Sequence, residues 1–357
     1  MLARGPAAAR HAAGELSLSS RNTAIVVALL LAACDGVSTT PDAGPAQEWS
    51  VVHVGLDEGL TSVWGRSSTD VYAVGSDAGD GPMVIHFDGE RWTRLATGAS
   101  GDLWWVNGPS GEDATDGDPI FMGGVGGLIL RYDGASFTTM TTPGTGTVYG
   151  IWAAAPDDVW AVGGVGAGNG FAWRYDGSAW TSVDLPDLGG HGLFKVWGNA
   201  SDDVWMVGAA GTMLHWDGST VERVQAGTTR TLFTIHVDGD RAAAVGGSGT
   251  AALVERERGV FVDHSPTFVS QLFGVWLTDA SGFAVGLNGT IRRQTPDGWV
   301  EDVAELSFIP ALHAVWADDA GGVWAVGGQV IAEPLSDGVI IHRGVSPVPG
   351  GPIEEGP

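Results

Sequence analysis

Four stretches of the sequence share one pattern: VYAVG at 71–75, VWAVG at 159–163, VWMVG at 204–208 and VWAVG at 323–327. Weaker copies of this pentapeptide begin at residues 120, 242 and 282. Upstream of each copy lies a Val-Trp, Ile-Trp or related pair, at 63–64, 106–107, 151–152, 196–197, 235–236, 275–276 and 315–316. From Trp64 to Trp316 the six intervals span 252 residues, an average of 42. A fixed period of this length indicates a repeat architecture with seven units.

Each repeat predicts four short strands. The pentapeptide is followed by an apolar run that ends in Asp-Gly, as in IHFDG at 85–89, and then by a further run such as RWTRL at 91–95. Asp-Gly between two extended runs is a strong hairpin signal, because both turn residues favour a positive φ. Four strands in every ~40–50 residues is typical of a β-propeller. We therefore predict an all-β fold, a seven-bladed β-propeller of four-stranded antiparallel blades.

The two ends of the repeat region predict how the ring closes. The seventh repeat stops after its third strand at Gly344, and the prolines of VSPVPGGP at 345–352 forbid a fourth strand there. The missing strand is found at the other end, where EWSVVHV at 48–54 resembles the other fourth strands. We predict that this N-terminal strand completes the last blade. The propeller then spans 48–344, and a disordered Pro/Gly tail follows at 345–357.

The composition excludes several function classes. The chain has 357 residues, with 17 basic and 42 acidic side chains and a formal net charge of −25. Nucleic-acid binding needs a cationic surface, so we predict no nucleic-acid partner. The single cysteine excludes an intramolecular disulfide and any site built from several thiolates. We expect a monomer.

The N-terminus predicts an export signal. The apolar run TAIVVALLLAA at 23–33 has 11 residues, which is too short to span a membrane. Arg21 precedes it and Cys34, the only cysteine, follows it directly. This arrangement resembles a bacterial lipoprotein signal, which implies removal of 1–33 and lipidation of Cys34. We predict a flexible tether at 34–47 and an exported protein, lipid-anchored in the cell envelope on the periplasmic side or cell surface, with no other membrane contact.

The residues that recur once per blade are interpreted as structural. The tryptophans of the first strands have the regular spacing of packing between neighbouring sheets. The acids before the second strand, at Asp70, Asp158 and Asp203, and the Asp-Gly pairs fit Asx-turn chemistry. Histidines at equivalent positions of third strands, such as His86 and His215, fit a packing pattern.

Departures from the repeat predict the binding surface. The loops between the second and third strands are long in blades 1, 3 and 7, and they share a face with the inter-blade loops. Functional variation concentrates on loops over a rigid scaffold. The candidate binding residues on this face are Asp77, Asp80, Asn169, His191, Gln329 and Asp337. The expected ligand is a protein or a glycan, and the acidic surface favours a cationic or calcium-bridged partner.

Blade 2 carries a further insertion, PSGEDATDGDP at 109–119, on the opposite face. Its acids Asp113, Asp116 and Asp118 resemble a calcium-type oxygen cluster, but the full 12-residue calcium loop with its closing Glu is missing. We interpret the insertion as a solvated acidic loop. No cofactor is predicted, with calcium as the alternative.

With seven four-stranded units, residues 48–344 resemble bacterial propeller proteins of the broad kelch, BNR-like and YVTN-like class. The Gly-His to Trp-Asp spacing of WD40 repeats and the S-x-D-x-G-x-T-W box of sialidases are missing. The resemblance implies the fold, and propellers host both enzymes and binding proteins. We expect a non-enzymatic binding scaffold. The alternatives are a glycoside hydrolase or lyase that uses Asp77, Asp80 and Asp337, and a structural or assembly factor of the envelope.

Overall fold

The computed structural model describes residues 47–110, 114–165, 168–279, 281–304 and 310–356. The predicted signal peptide, Cys34, the tether up to residue 46 and Asp113 lie outside these ranges. Within the described ranges, no helix has the length and apolar character needed to cross a membrane.

The chain forms seven antiparallel sheets, which are the blades of a β-propeller. The first three strands of each blade are longer than the fourth in blades 1 to 4, where the fourth has only three residues. In chain order the strands are β1 Glu48–Leu56, β2 Leu60–Ser67, β3 Asp70–Asp77, β4 Pro82–Phe87, β5 Trp92–Arg94, β6 Leu103–Asn107, β7 Ile120–Gly124, β8 Ile129–Tyr132, β9 Phe137–Thr139, β10 Thr147–Ala155, β11 Asp158–Val165, β12 Gly168–Tyr175, β13 Trp180–Ser182, β14 Leu193–Ala200, β15 Asp203–Gly208, β16 Met213–Trp216, β17 Val221–Arg223, β18 Leu232–Asp238, β19 Arg241–Ser248, β20 Thr250–Glu257, β21 Val260–Asp263, β22 Leu272–Thr278, β23 Ser281–Gly286, β24 Ile291–Thr295, β25 Gly298–Glu301, β26 Ala311–Ala317, β27 Val323–Gln329, β28 Ser336–Gly344 and β29 Glu354–Glu355. Short 3₁₀ turns join the second and third strands of three blades, at Val125–Gly127, Ala209–Gly211 and Leu287–Gly289.

The predicted fold class is confirmed: seven blades of four antiparallel strands, with the last blade completed by the N-terminal strand. Its strand order is β1-β28-β27-β26, and β1 pairs with β28 from Glu48 opposite Gly344 to Leu56 opposite Gly338. Hydrogen bonds between the two ends of the chain therefore close the ring and cover the outer edge of the last blade.

The second strand of each blade is the most buried, because it lies between two strands and two neighbouring blades. Residues Val71–Ser76 of β3 are all buried. The pentapeptide glycine at the end of this strand has a steric role. A Cβ on Gly163 would collide with the carbonyl oxygen of Thr147, and one on Gly75 would collide with that of Gly59. The recurrent Val-Gly thus allows the first and second strands to approach closely at one end.

The Asp-Gly hairpins differ from the prediction in one detail. Only the glycine has a positive φ, as in Gly89 at 93° and Gly177 at 88°. The aspartate is not among the described residues with positive φ, and its carboxylate accepts hydrogen bonds from the backbone of the two residues that follow the glycine. The longer loop lets this Asx hydrogen bonding replace a two-residue turn.

The acids before the second strands correct a second interpretation. Their carboxylates bind side chains rather than the backbone N–H groups of an Asx turn: each contacts a His or Arg of the third strand, and Asp70 and Asp203 also contact Arg66 and Asn199 of the first strand. Asp70 contacts His86 Nε2 at 2.7 Å, Asp203 contacts His215 Nε2 at 2.7 Å, and Asp158 receives two hydrogen bonds from Arg174. These pairs connect the turn between the first and second strands to the third strand. They explain why histidines recur at equivalent positions of the third strands.

The C-terminal tail is also different from the prediction. Residues 345–357 were predicted to be disordered, but Glu354–Glu355 pair in parallel with Thr93–Arg94 and make blade 1 five-stranded. The proline argument holds for 345–352 and does not extend to this pair, because the last proline before it is Pro352 and the residues that follow have N–H groups that can join a ladder. Half-buried Val348 and Ile353 pack against the core.

Candidate binding site in the central channel

The innermost strand of every blade contains a β-bulge near its N-terminal end. In β14, for example, the register against β15 shifts between Leu193 and Lys195, so that Phe194 is the extra residue. A bulge re-aims one side chain out of the regular alternation. The seven bulge residues are Thr61, Trp104, Tyr149, Phe194, Phe233, Phe273 and His313.

Six of these residues form a ring around the channel, which we call the aromatic cage: Trp104, Tyr149, Phe194, Phe233, Phe273 and His313. Neighbouring ring centroids lie 5.5 to 5.8 Å apart all the way round, including 5.8 Å between Trp104 and His313. This spacing is within the range of favourable aromatic pairs. Thr61 occupies the seventh position and is fully buried, and its hydroxyl donates to the carbonyl of Leu103 at 2.7 Å.

Lys195 lies next to the cage, one residue after Phe194. It is the only lysine of the chain and only 3% of its surface is exposed. Its Nζ donates to the carbonyl oxygen of Tyr149 at 3.3 Å and lies over the indole face of Trp105. The backbone of Lys195 is so close to Gly150 that a Cβ there would lie 2.9 Å from its Cα. A glycine in blade 3 therefore leaves room for the lysine to reach from blade 4 to blade 2.

Burial controls the charge of the two basic groups at this site. It lowers the pKa of Lys195 well below its ordinary value. Burial also lowers the pKa of His313 to about 4. The nearby charge of Lys195 lowers this pKa further, whereas the hydrogen bond to the carbonyl of Thr61 raises it. His313 is therefore neutral at pH 7, and its Nδ1–H donates to Thr61.

A cavity of about 250 Å³ lies at the cage. Its wall consists of the six aromatic residues together with Lys195, Thr234, Gln271, Val330 and Ile331. Val330 and Ile331 belong to the long loop of blade 7, and Gln271 to an inter-blade loop. Val330 is buried and Ile331 is 56% exposed, so this loop both covers the cage and presents an apolar side chain to solvent.

The opposite mouth of the channel is lined by the recurrent tryptophans. Trp64, Trp152, Trp197 and Trp316 are buried, and Trp276 is half-buried. They surround a recess of about 590 Å³. A Cβ on Gly65 or on Gly198 would clash with the tryptophan of the preceding blade, so the indole edge packs against a glycine of the next blade.

The two repeats without this tryptophan use a hydrogen bond instead. Asn107 Oδ1 accepts from the backbone N–H of Ala153 at 2.9 Å, and His236 Nδ1 accepts from that of Leu277 at 3.3 Å. Both acceptors therefore bind the next blade. Burial, and to a smaller extent the charge of Arg241, lower the pKa of His236 to about 3.

None of the six binding residues predicted from the sequence lines the cage cavity in the described part of the chain. The loop of blade 7 does so through residues that the sequence analysis did not select. Gln329 is exposed and its Nε2 donates across the loop to the carbonyl of Pro334 at 3.3 Å. Asp337 is exposed with a φ of 55° and accepts a hydrogen bond from Ser336.

Asp77 organises its own loop. Its carboxylate accepts hydrogen bonds from the backbone N–H groups of Gly79, Gly81 and Gly101 at 2.7 to 3.0 Å. These bonds, that from Gly101 foremost, lower the pKa of Asp77. Asp80 is exposed in the same loop. The carboxylate nominated for hydrolase chemistry is thus held in its ionised form as a loop acceptor.

In blade 3 the structure brings Asn169 and His191 together. The backbone N–H of Asn169 donates to the carbonyl of Gly190 at 3.0 Å, and that of Gly170 donates to the carbonyl of His191 at 3.1 Å. Asn169 has a φ of 46° and is exposed. The beginning of β12 and the inter-blade loop before β14 are therefore hydrogen-bonded to each other.

In the blade 2 insertion, Asp118 closes a turn with Thr115: its carboxylate accepts from the Thr115 N–H at 2.8 Å, while its own N–H donates to the Thr115 carbonyl. Asp116 is exposed. In the described part of the chain, no three His, Cys, Asp or Glu side chains are grouped as a metal site would require.

The cage residues have a signal in the sequence that the repeat analysis did not use. Each stands three positions before the recurrent tryptophan or its replacement, as Tyr149 before Trp152 and Phe194 before Trp197. An aromatic at this offset in five repeats, and a histidine in a sixth, distinguishes these positions from ordinary core residues. That they meet in one ring follows only from the closed propeller.

Comparisons with known proteins support the fold. No protein-family model matches this sequence, and no curated protein matches it either. Among solved structures, the chain is similar to the WD40 propeller domain of Doa1, with 14% identity, a TM-score of 0.64, and coverage of 82% of this chain and 96% of that one. It is similar to a catalytically inactive virginiamycin B lyase from Staphylococcus aureus with quinupristin, with 12% identity, a TM-score of 0.67 and coverage of 83% and 99%.

A third similar structure is YCF48 bound to D1 peptide, with 13% identity, a TM-score of 0.62 and coverage of 85% of this chain and 99% of that one. Identities this low show the propeller architecture alone. The chain is a seven-bladed β-propeller whose inter-blade-loop face leads into an aromatic cage.

Proposed function

We propose that this protein is a non-enzymatic binding scaffold that binds a partner protein on the face formed by the inter-blade loops and the long loops of blades 7, 1 and 3. The observation that carries the proposal is the aromatic cage with the blade 7 loop over it. An apolar recess at the centre of a rigid ring, with an exposed Ile331 at its rim, has the character of an anchoring pocket for a partner side chain.

The chemistry of this recess favours a protein over a glycan. Its wall is mainly aromatic edges and faces, with four polar side chains among eleven lining residues. Sugar hydroxyls would lose hydrogen bonds to water there, whereas an apolar side chain would gain contact area. The net charge of −25 favours a partner with a cationic surface around the apolar anchor.

One structural neighbour supports a protein ligand. YCF48 has been solved with D1 peptide on a propeller of the same overall architecture. The likeness extends to the fold, and it supports the proposal because a seven-bladed ring can present a peptide-binding face.

We further propose that the propeller is exported and held at the cell envelope through a lipid on Cys34. The support is the apolar run at 23–33, its flanking Arg21 and the position of the only cysteine directly after it. A tether at 34–47 would let the binding face reach a partner away from the membrane.

The binding face is tested by photo-crosslinking in cells that produce the full chain. A photoreactive residue replaces Ile331, which is 56% exposed at the rim of the cage. The matched control replaces Val260, which is 61% exposed on the outermost strand of blade 5. We expect a discrete crosslinked protein from position 331 and none from 260. Equal crosslinking at the two positions, or none at 331, would contradict the proposed face.

A substitution pair tests whether the captured partner depends on the apolar rim. Ile331→Asp places a charge at the cage entrance, and Val260→Asp places the same charge at an equally exposed site. We expect at least a tenfold loss of affinity for the first variant and none for the second, measured with the captured partner after purification. Retained affinity in both variants would remove the cage rim from the interface.

The anchor is tested separately by Cys34→Ser. We expect the wild-type chain in the membrane fraction, labelled by a fatty-acid analogue, and the variant in the soluble fraction without label. A wild-type chain that carries no lipid would reject the anchor while leaving the binding face untouched.

A further inference from the structure

The amine of Lys195 is an ionisable group that the proposed protein-binding role does not use. It lies at the cage cavity, 3% exposed, and Tyr149 supplies its one hydrogen-bond acceptor among the described residues. Trp105 adds an aromatic face. The described wall of the cavity contains no carboxylate.

A buried ammonium without a counter-ion is energetically costly, and the cost is removed either by loss of the proton or by arrival of an anion. In the unliganded protein burial lowers the pKa of Lys195, which favours loss of the proton. A carboxylate beside Nζ would supply the missing counter-ion and restore the charged amine. Such charge-assisted hydrogen bonds are shorter and stronger than neutral ones.

The remainder of the cavity sets the size and character of the ligand. Its other walls are the aromatic cage, and Val330 and Ile331 cover it from one side. A protein cavity of ~150 Å³ holds benzene, so a volume of about 250 Å³ holds about ten non-hydrogen atoms. The body of the ligand must be apolar, because the cage offers it few hydrogen-bond partners.

We propose that the cage cavity binds a small monocarboxylic acid with an apolar, ring-sized body, whose carboxylate pairs with Lys195 while the body contacts the aromatic cage. The site is the same cavity that the proposed function treats as an anchoring pocket for a partner side chain, so a bound acid and the partner side chain would compete for it. Binding of the acid does not need the partner, so its test does not require one.

The charge balance predicts a linked proton. Three titratable groups face the cavity: Lys195 on β14, Tyr149 on β10 and His313 on β26. Of the other titratable groups on strands that pack against β14, Asp158 on β11 is held by Arg174, and His236 on β18 lies at the opposite mouth. His313 stays neutral at pH 7, because burial lowers its pKa to about 4. A carboxylate beside Nζ raises the lowered pKa of Lys195, so binding of the acid takes up protons there.

The test is isothermal titration of the full chain with 3-phenylpropanoate, a flat-bodied acid of the required size. The control ligand is 3-phenylpropanamide, which has the same body without the charge. We expect the acid to bind at least tenfold more tightly than the amide. Titrations at pH 7 in phosphate and in Tris, whose ionisation heats differ, should show a net uptake of protons when the acid binds.

Two variants distinguish the contribution of the amine to ligand affinity from that of the aromatic cage. Lys195→Met keeps the length of the side chain and removes the charge, and we expect about a 10- to 150-fold loss of affinity for the acid and none for the amide. Phe233→Ala removes one wall of the cage and should weaken both ligands equally.

Three results would overturn the proposal: no binding of the acid by the wild type at millimolar concentration, equal binding of acid and amide, or unchanged acid binding by K195M. Where K195M fails to fold, the preference of the wild type for acid over amide and its proton uptake decide. Failure here leaves the crosslinking result at Ile331 unaffected, so the two proposals fail separately.

Discussion

Lys195 occupies an electrostatically unfavourable position, because its amine is buried in the channel wall. A lysine in the wall of a closed ring must lose water on all sides, and the only compensations that the structure offers are one carbonyl and one indole face. Gly150 supplies the space that this arrangement needs. The residue is a specific choice of this sequence, since the equivalent positions in other blades are small or neutral, such as Thr234 and Gly274.

Stability should rise with pH because of Lys195. Between its lowered folded-state pKa and the unfolded value of ~10.4, the unfolded chain binds a proton that the folded chain does not. Stability therefore increases with pH in that window, by up to about 1.4 kcal/mol per pH unit from this group. We expect urea unfolding at a series of pH values up to 10 to show this slope within that window, in excess over K195M, which lacks the titrating amine. Equal slopes in the two proteins would contradict the buried neutral amine.

A second measurement uses the uniqueness of this residue. Because Lys195 is the only lysine, a chain grown on lysine labelled at the ε carbon gives a single NMR signal. Its titration midpoint should lie well below the ordinary value of ~10.4. A midpoint near that value would show that the amine is solvated.

The buried His236 predicts that the protein loses stability at acidic pH. The loss comes from a neutral buried group and not from a salt bridge. For His236, the folded-state pKa of about 3 lies below the unfolded value of 6.5, so between these values only the unfolded chain is protonated. Stability is therefore lost as pH falls below ~6.5, by about 2 to 3 kcal/mol at pH 4.5. His236→Asn should remove this loss and keep the hydrogen bond to Leu277, because Asn107 makes the same bond in blade 2.

The control for that experiment is His236→Leu. It also removes the titration, but it leaves the buried N–H of Leu277 without an acceptor, at a cost of about 1 to 3 kcal/mol at pH 7. Denaturant unfolding of the three proteins at pH 7 and 4.5 separates the effects. If the wild type and the His236→Asn variant lost the same free energy of unfolding between pH 7 and 4.5, the acid sensitivity would belong to other groups.

At the scale of elements, the C-terminal segment covers an edge of the propeller that would otherwise be exposed. Its short strand β29 covers the outer edge of blade 1, and the Gly356 N–H donates to the carbonyl of Arg94 at 2.8 Å. An uncovered outer edge is a template for pairing with another chain. The segment thus protects the first blade in the way that β1 protects the last one.

Truncation after Gly344 tests this role. The loss of half-buried Val348 and Ile353 should lower stability by about 2 kcal/mol, and the bare edge of β5 should promote self-association. Calorimetry and size-exclusion chromatography over a range of concentrations measure the two effects. An unchanged melting temperature with a monomeric profile would show that the segment does not dock in solution.

The β-bulges place the side chains of the aromatic cage in the channel. Without them, residues 61, 104, 149, 194, 233, 273 and 313 would follow the regular in-and-out alternation of a strand. With one bulge per blade, six aromatic residues and one threonine reach the same level of the channel. The cage is therefore a property of the repeated backbone irregularity as much as of the side chains.

At the scale of the whole molecule, stability depends on closure of the ring. Each blade buries its faces against two neighbours, so an open ring exposes one face at each end. β1 is the closing strand, with pairing along most of its length against β28. Trp49 adds an edge-to-face contact with Phe283 of blade 6 and a hydrogen bond to Asp302.

Deletion of residues 47–56 should abolish the cooperative unfolding transition, because it opens the ring and uncovers β28. The matched control deletes 35–46, within the predicted tether, and should leave the transition unchanged. Calorimetry of the two deletions against the wild type makes the comparison. A cooperative transition in the first deletion would mean that the blades are stable without the closing strand.

The sequence alone determined the number of blades, the strand order within them and the closing strand, because the 42-residue period and the short apolar runs separated by turn residues are local patterns that recur along the chain. It also predicted that the blade 7 loop belongs to a binding face, and in the structure Val330 and Ile331 of this loop line the cage cavity. The sequence misassigned the acids before the second strands and the C-terminal tail, because the partners of those residues lie on other strands.

Only the tertiary structure decided the site. Residues from blades 2 to 7, separated by about forty residues each, meet at 5.5 to 5.8 Å because the ring returns to its starting point. The burial of Lys195, and hence its lowered pKa, is likewise set by side chains of other blades. Local patterns specify strands and turns, whereas proximity and desolvation in a closed ring depend on the whole chain at once.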